Sequence, residues 1–220
     1  MLIPLTRKKF EELAPLAATG EQYRYYWGKP SDILRRLLIS VTGVVGVAFV
    51  RFLIGEGFDI LLFIPGFGVG FYWLWSPVYW ATRRNMALRK YRYSGFWRGK
   101  VADMFITEDL IGTEETVNKQ GELVIVENRE RRLNLEVEDE TGFYTKLQVP
   151  LNRDHRVIRP GDIAEMVVLS NRADLSRIAK VSDVFLPECD LWVSDYPYLR
   201  RDAFAEVSRR IDRRRRSNDR

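Results

Sequence analysis

The sequence predicts a membrane α-helical hairpin of two transmembrane helices, a small all-β soluble domain and a basic C-terminal helix. Three observations carry that fold class. Residues 60–82 contain no Asp, Glu, Lys, Arg or His. From about residue 93 to 193, short apolar runs alternate with turn signals. Residues 199–216 set apolar side chains at helical spacing among arginines. The length of 220 residues fits one to two domains. An aromatic content of 13% excludes a disordered chain. A single Cys excludes an internal disulfide, and one His with one Cys argues against a transition-metal site. No cofactor is expected.

Residues 1–30 read as an amphipathic, interfacial segment. Thr6 can cap a short helix over Thr6–Ala17, with Phe10, Leu13, Ala14 and Ala17 on one face. Tyr23-Arg24-Tyr25-Tyr26-Trp27 mixes rings with a cation, as suits headgroup depth. A base-stacking surface is the sharper alternative, and nothing else supports it. No secretory leader pattern is visible, since the first 30 residues are charged and aromatic.

Residues 31–84 hold the hairpin, with spans at about 33–54 and 60–82. The second is the stronger, because 23 residues at 1.5 Å rise reach ~35 Å against a ~30 Å hydrocarbon core. Pro65 and Pro77 are tolerated in such helices, and Trp73, Trp75, Tyr79 and Trp80 resemble an interfacial belt. The first has a 14-residue uncharged core, Leu37–Val50, which Arg35, Arg36 and Arg51 extend by snorkelling. The short connection Gly55–Asp59 makes the two antiparallel. Thr42 with Gly46 and Gly66 with Gly70 are small pairs four apart, expected to pack the hairpin or a helical partner. Lys and Arg flank both outer ends, whereas the loop carries Glu56 and Asp59, so both termini are expected on the cytoplasmic or stromal side.

Residues 93–195 read as the soluble β-domain. Strands are expected at Leu123–Val126, Leu133–Val137, Phe143–Val149, Ile163–Leu169 and Val181–Leu186. Asp139-Glu140-Thr141-Gly142 joins two alternating runs into a hairpin with a one-sided core, and Pro160-Gly161-Asp162 marks a second turn. An OB-like or SH3-like barrel fits this size. Residues 199–220 form the basic helix and tail. Leu199, Ala203, Phe204, Val207 and Ile211 make its apolar face, and Arg213, Arg214, Arg215 and Arg216 end it. A membrane surface or an acidic partner suits such a helix, together with Arg83 and Arg84 beyond the second span.

The net charge of +5 averages unlike blocks. Residues 83–100 carry +7 and residues 200–220 carry +5, but residues 101–199 carry −9. An acidic folded domain argues against nucleic acid. No phosphate loop, zinc-protease helix or nucleophile elbow is present. The expected non-enzyme therefore has no catalytic residue. His155 reads as a surface residue of a polar turn, and a His155–Cys189 pair lacks any local motif. Glu136–Glu140 reads as a solvated hairpin tip without calcium-loop spacing.

Met1–Thr6, Tyr23–Lys29 with Trp27-Gly28, Leu34–Leu38 and Ser194–Leu199 resemble a family of cyanobacterial and plastid membrane proteins of unknown function. Some members are labelled phosphate ABC transporter permeases, and two spans are too few for that label. The resemblance implies a photosynthetic host and a thylakoid or plasma-membrane location. It supplies no catalytic residue. The expected role is an accessory or assembly factor that docks to a larger, photosynthetic membrane complex, with the lipid bilayer and a protein as partners. A homo-oligomer is compatible with this. A small transporter or channel subunit is the alternative.

Overall fold

A computed structural model describes the chain except residues 29, 56, 58, 118–120, 122 and 219–220, and except the side chains at 59, 114 and 214–218. Lys29, Glu56 and the guanidinium groups of Arg214, Arg215 and Arg216 thus lie outside the described residues. The chain divides into two compact units, Ala14–Lys90 and Met1–Leu13 with Tyr91–Arg220.

The first unit is helical. α1 (Arg7–Leu13) belongs to the other unit, and α2 (Gly20–Trp27) begins this one. Thr19 caps α2 through a reciprocal pair with Gln22, which satisfies two otherwise orphaned amides. α3 runs over Pro30–Ile54, α4 over Asp59–Gly70 and α5 over Tyr72–Arg89. α3 is long and apolar enough to cross a membrane by length and composition.

The second expected span is corrected. Residues 60–82 do not form one straight rod, because α4 and α5 meet at a 71° bend. Gly66, Gly68 and Gly70 explain it: each weakens the helix by ~1 kcal/mol relative to Ala. At the bend the orphaned groups find partners. Ser40 Oγ of α3 accepts from the Trp73 amide at 3.2 Å, and Gly68 O accepts from the Trp75 indole at 2.7 Å. The expected small-residue face is also shifted. Thr42 is exposed and Gly46 has open space beside it, whereas a Cβ on Gly43 would stand 1.9 Å from Val69 Cγ1. Gly66 and Gly70 lie against Val47 and Val44 of α3. Gly43→Leu should therefore cost about 1–3 kcal/mol by overpacking, whereas Gly46→Ala, which meets open space, should stabilise the helix by up to about 1 kcal/mol. Thermal melts of the full chain in detergent, followed by circular dichroism, would check this ordering.

The second unit is a seven-stranded antiparallel sheet in the order β4-β3-β2-β5-β6-β7, with β1 also paired to β2. The strands are β1 (Leu2–Leu5), β2 (Tyr93–Val117), β3 (Leu123–Glu138), β4 (Tyr144–Pro150), β5 (Ile163–Ser170), β6 (Ile178–Leu186) and β7 (Leu191–Val193). Inward side chains of β2 to β7, from Trp97 and Val101 through Leu135, Met166 and Val184 to Val193, share one core, so the sheet curls. Among the described residues no pairing joins β4 to β7, so the expected barrel is an open, curled sheet.

The expected turn at Asp139–Gly142 joins β3 to β4, with Leu135 opposite Leu147. Asp139 is more than a solvated tip. Its carboxylate accepts from Thr141 N, Thr141 Oγ1 and the Trp97 indole at 2.8, 2.5 and 2.7 Å. Burial raises its pKa, but these bonds and one from Phe143 together hold it below the ordinary value. The first thirteen residues, expected as part of an interfacial segment, belong to the β-unit. β1 pairs with Ser94–Trp97, and Phe10 and Leu13 of α1 are buried.

β2 and β3 extend well beyond their neighbours. β5 pairs with Tyr93–Lys100 and β4 with Arg132–Glu138. Leu151 N donates to Arg131 O, so Asp109–Val117 and Leu123–Glu130 form a two-stranded arm, with a bulge at Ile111.

Candidate functional site

The outer face of the curled sheet seats α6 (Arg201–Asn218). Alternation explains how. Ala164, Met166 and Val168 point into the core, so Glu165 and Val167 point the other way. On that face Phe204 stacks on Phe96 at 5.5 Å and meets Trp192 edge-on at 5.3 Å. Leu199, Phe204 and Val207 are buried there. The apolar face of the tail helix is therefore occupied within its own unit. Contact with a bilayer or an acidic partner is left to its arginines, and Arg213 is exposed.

Two carboxylates are buried beneath this seat. Glu165 of β5 is fully buried. Its oxygens meet no donor in hydrogen-bonding geometry, while Arg98 Nη1 stands 3.4 Å away. Arg98 also pairs with Asp212 of α6. Burial raises the Glu165 pKa, the nearby Asp212 adds to it, and Ser208 and Arg98 oppose it. Asp183 of β6 accepts from the Tyr198 amide at 2.9 Å and from the Leu199 amide at 3.5 Å, which holds the segment leading into α6. Burial pushes its pKa up to about 7, against the pull of those amides and Arg201. Neither carboxylate was singled out by sequence reading. The available signal was an acid set inside an apolar strand, in Ile163-Ala164-Glu165-Met166 and Ser182-Asp183-Val184.

The helical unit carries the other expected cations. Arg83 lies over the Trp80 ring at 5.4 Å, and Arg84 lies 5.6 and 5.5 Å from the rings of Tyr25 and Tyr26. Arg36 donates to Tyr26 O. Beneath them Gln22 and Asn85 exchange two amide bonds at 2.9 and 2.8 Å, which ties α2 to α5. This assembly presents cations on aromatic faces, a chemistry that suits anionic groups.

His155 is corrected from a surface residue to a buried one in the 3-10 turn Arg153–Val157. Its Nδ1 accepts from the Asn152 amide at 3.2 Å, and burial lowers its pKa against the pull of Asp154. It serves as a neutral cap of its own turn. Cys189 lies partly buried in the turn after β6. Among the described residues, no three His, Cys, Asp or Glu side chains converge as metal ligands.

A sheet capped by its own tail helix and joined to an apolar helical unit is the class defined by these observations. The chain belongs to the family of unknown function DUF8619, which it matches over residues 3–216. No curated protein and no solved structure matches it.

Proposed function

We propose that this is a non-enzymatic integral membrane protein that docks to, or helps assemble, a larger membrane complex. One observation carries the reading. α3 leaves its apolar side chains outside: of its described residues Ser40 alone is buried, and Phe52 is 82% exposed. A soluble core helix would bury such a face, and a bilayer removes the cost of exposing it. α4 is the start of a second, broken crossing. Its 12 residues rise ~18 Å, so the crossing continues into α5 beyond the bend. Both termini then lie on the side of Arg35, Arg36, Arg83 and Arg84. The sequence resemblance supports a thylakoid or plasma-membrane setting. The folded β-unit with its projecting arm supports docking over catalysis.

Carbonate extraction of native membranes tests the anchor. The chain should stay in the pellet, and its release into the supernatant would overturn the reading. Cross-linking in those membranes with mass spectrometry should recover a partner complex, and only free chains would count against docking. The break between α4 and α5 favours a second reading, a transporter or channel subunit, since transporters use broken helices at their sites. It ranks lower because Ser40 already satisfies the freed Trp73 amide. Solute flux in liposomes would reverse the ranking.

A further inference from the structure

The helical unit gathers more positive charge around α2, the start of α3 and the end of α5 than its own acids balance. Segments 20–37 and 81–90 contain eight basic and two acidic residues. Arg36 of α3 is half-buried and, among the described residues, forms no ion pair. It donates instead to Tyr26 O in the C-terminal turn of α2, where helix carbonyls lack partners of their own. A backbone carbonyl orients this guanidinium and does not neutralise it. Arg84 of α5 is exposed and lies against the rings of Tyr25 and Tyr26, which meet edge-on at 5.4 Å. Three helices of one unit thus bring two guanidinium groups to one residue, Tyr26. A cation taken partly out of water without a counter-charge is costly, so an anion from outside the chain stabilises Arg36.

Next to this pair the surface turns apolar. Leu37 follows Arg36 directly, and Leu37, Val41 and Val45 lie four apart along one ridge of α3, all exposed. On the membrane reading above, on which this inference rests, that ridge runs from the headgroup layer into the hydrocarbon. We infer that Arg36 and Arg84 clamp the phosphate of one anionic phospholipid, in the leaflet on the side of both termini, with an acyl chain along Leu37, Val41 and Val45. A phosphodiester carries its charge on unesterified oxygens, which suit planar guanidinium forks. The cytoplasmic leaflet is also the one that presents anionic lipid. The ridge selects a lipid over other anions. A free phosphate would use the arginines and leave Leu37, Val41 and Val45 bare. An acidic peptide would do the same, since an irregular chain does not follow a helix into hydrocarbon.

The test titrates the full chain, in an uncharged detergent, with phosphatidylglycerol or with phosphatidylcholine of the same acyl chains, and counts bound lipid by native mass spectrometry. Phosphatidylglycerol should saturate at one molecule per chain and bind about tenfold or more tightly than phosphatidylcholine. Arg84→Gln should weaken phosphatidylglycerol about tenfold, the loss expected for a charge-assisted hydrogen bond. Arg84 is exposed, so that variant should keep the parent's circular dichroism spectrum. Arg36→Gln should weaken binding at least as much. Lys90→Gln with Arg92→Gln removes two exposed charges close by in the chain and should cost less than about twofold. Equal binding of the two lipids, no saturation at one molecule, an Arg84→Gln chain that binds like the parent, or an equal loss in the Lys90→Gln, Arg92→Gln chain would each overturn the clamp. Displacement of phosphatidylglycerol by an equal concentration of inorganic phosphate or of hexaglutamate would assign the arginines to a free anion or an acidic protein, and overturn it too. Carbonate extraction reads the anchor separately. A chain that stays in the pellet and binds both lipids alike loses the clamp and keeps the membrane reading, whereas release into the supernatant overturns both.

Discussion

Phe204→Ala should release the tail helix from the sheet. Phe204 is fully buried and touches three other rings, on Phe96, Phe185 and Trp192. Truncating such a side chain costs about 3–5 kcal/mol, from lost transfer energy and the cavity left behind. Helix propensity cannot make up the difference, because most of the stability of a helix in a protein comes from packing its amphipathic face. Losing the seat has a second consequence. Arg98 and Glu165 would be uncovered together, since Asp212 and Ser208 leave with α6. Hydrogen exchange on the full chain in detergent should show loss of protection across α6, with β3 and β4 retained. Trypsin should also cut after Arg200 and Arg201 far sooner than in the parent. If α6 keeps its protection, the seat described above is not what holds it.

The reach of sequence reading varied with how many faces of an element are buried. Leu133, Leu135 and Val137 alternate cleanly because one face of that hairpin fills the core. Residues 127–132 of the same strand, charged at every position but Asn128, carry no such pattern, because the arm has no buried face to impose one. β3 therefore reads as one short strand followed by another, although it is continuous over 16 residues. β2 was missed for a related reason. Bulges at Ala102 and Ile111 shift its alternation twice, and Arg98, Lys100 and Asp103 interrupt its apolar residues. The apolar run 60–82 identified its environment but not its shape. Hydropathy counts the absence of charge, whereas the bend depends on three glycines and on a hydroxyl from another helix, Ser40. The tail shows the opposite case. Its apolar face was legible, but a period of 3.6 does not say whether lipid, a partner or the chain's own sheet covers it.

Acidification from pH 8 to pH 4 should strengthen the β-unit, contrary to the usual behaviour of carboxylate-rich domains. The sign follows from Asp183. Its folded pKa of about 7 lies above the ordinary 3.8, so between those values the folded chain holds a proton that the unfolded chain has released. Stability then falls as pH rises through that window and levels off above about 7. The full span corresponds to an effect on the order of 4 kcal/mol for one carboxyl. Glu165 works in the same direction, because burial raises its pKa also. Asp139 and His155 oppose them, since a lowered pKa removes stability as pH falls: His155 does so below its ordinary value of 6.5, and Asp139 only at the acid end of the range. Hydrogen exchange at β5 and β6, corrected for the intrinsic rate at each pH, should report a larger opening free energy at pH 5 than at pH 8. Asp183→Asn should flatten most of that slope. The neutral amide keeps one oxygen for the Tyr198 N–H but has nothing to titrate. An opening free energy that instead climbs from pH 5 to pH 8 would mean that the two amides and Arg201 hold Asp183 ionised. The segment 198–200 would then be fixed by a buried charge instead of a neutral acid, and Asp183→Asn would weaken the attachment of α6 at every pH above about 4.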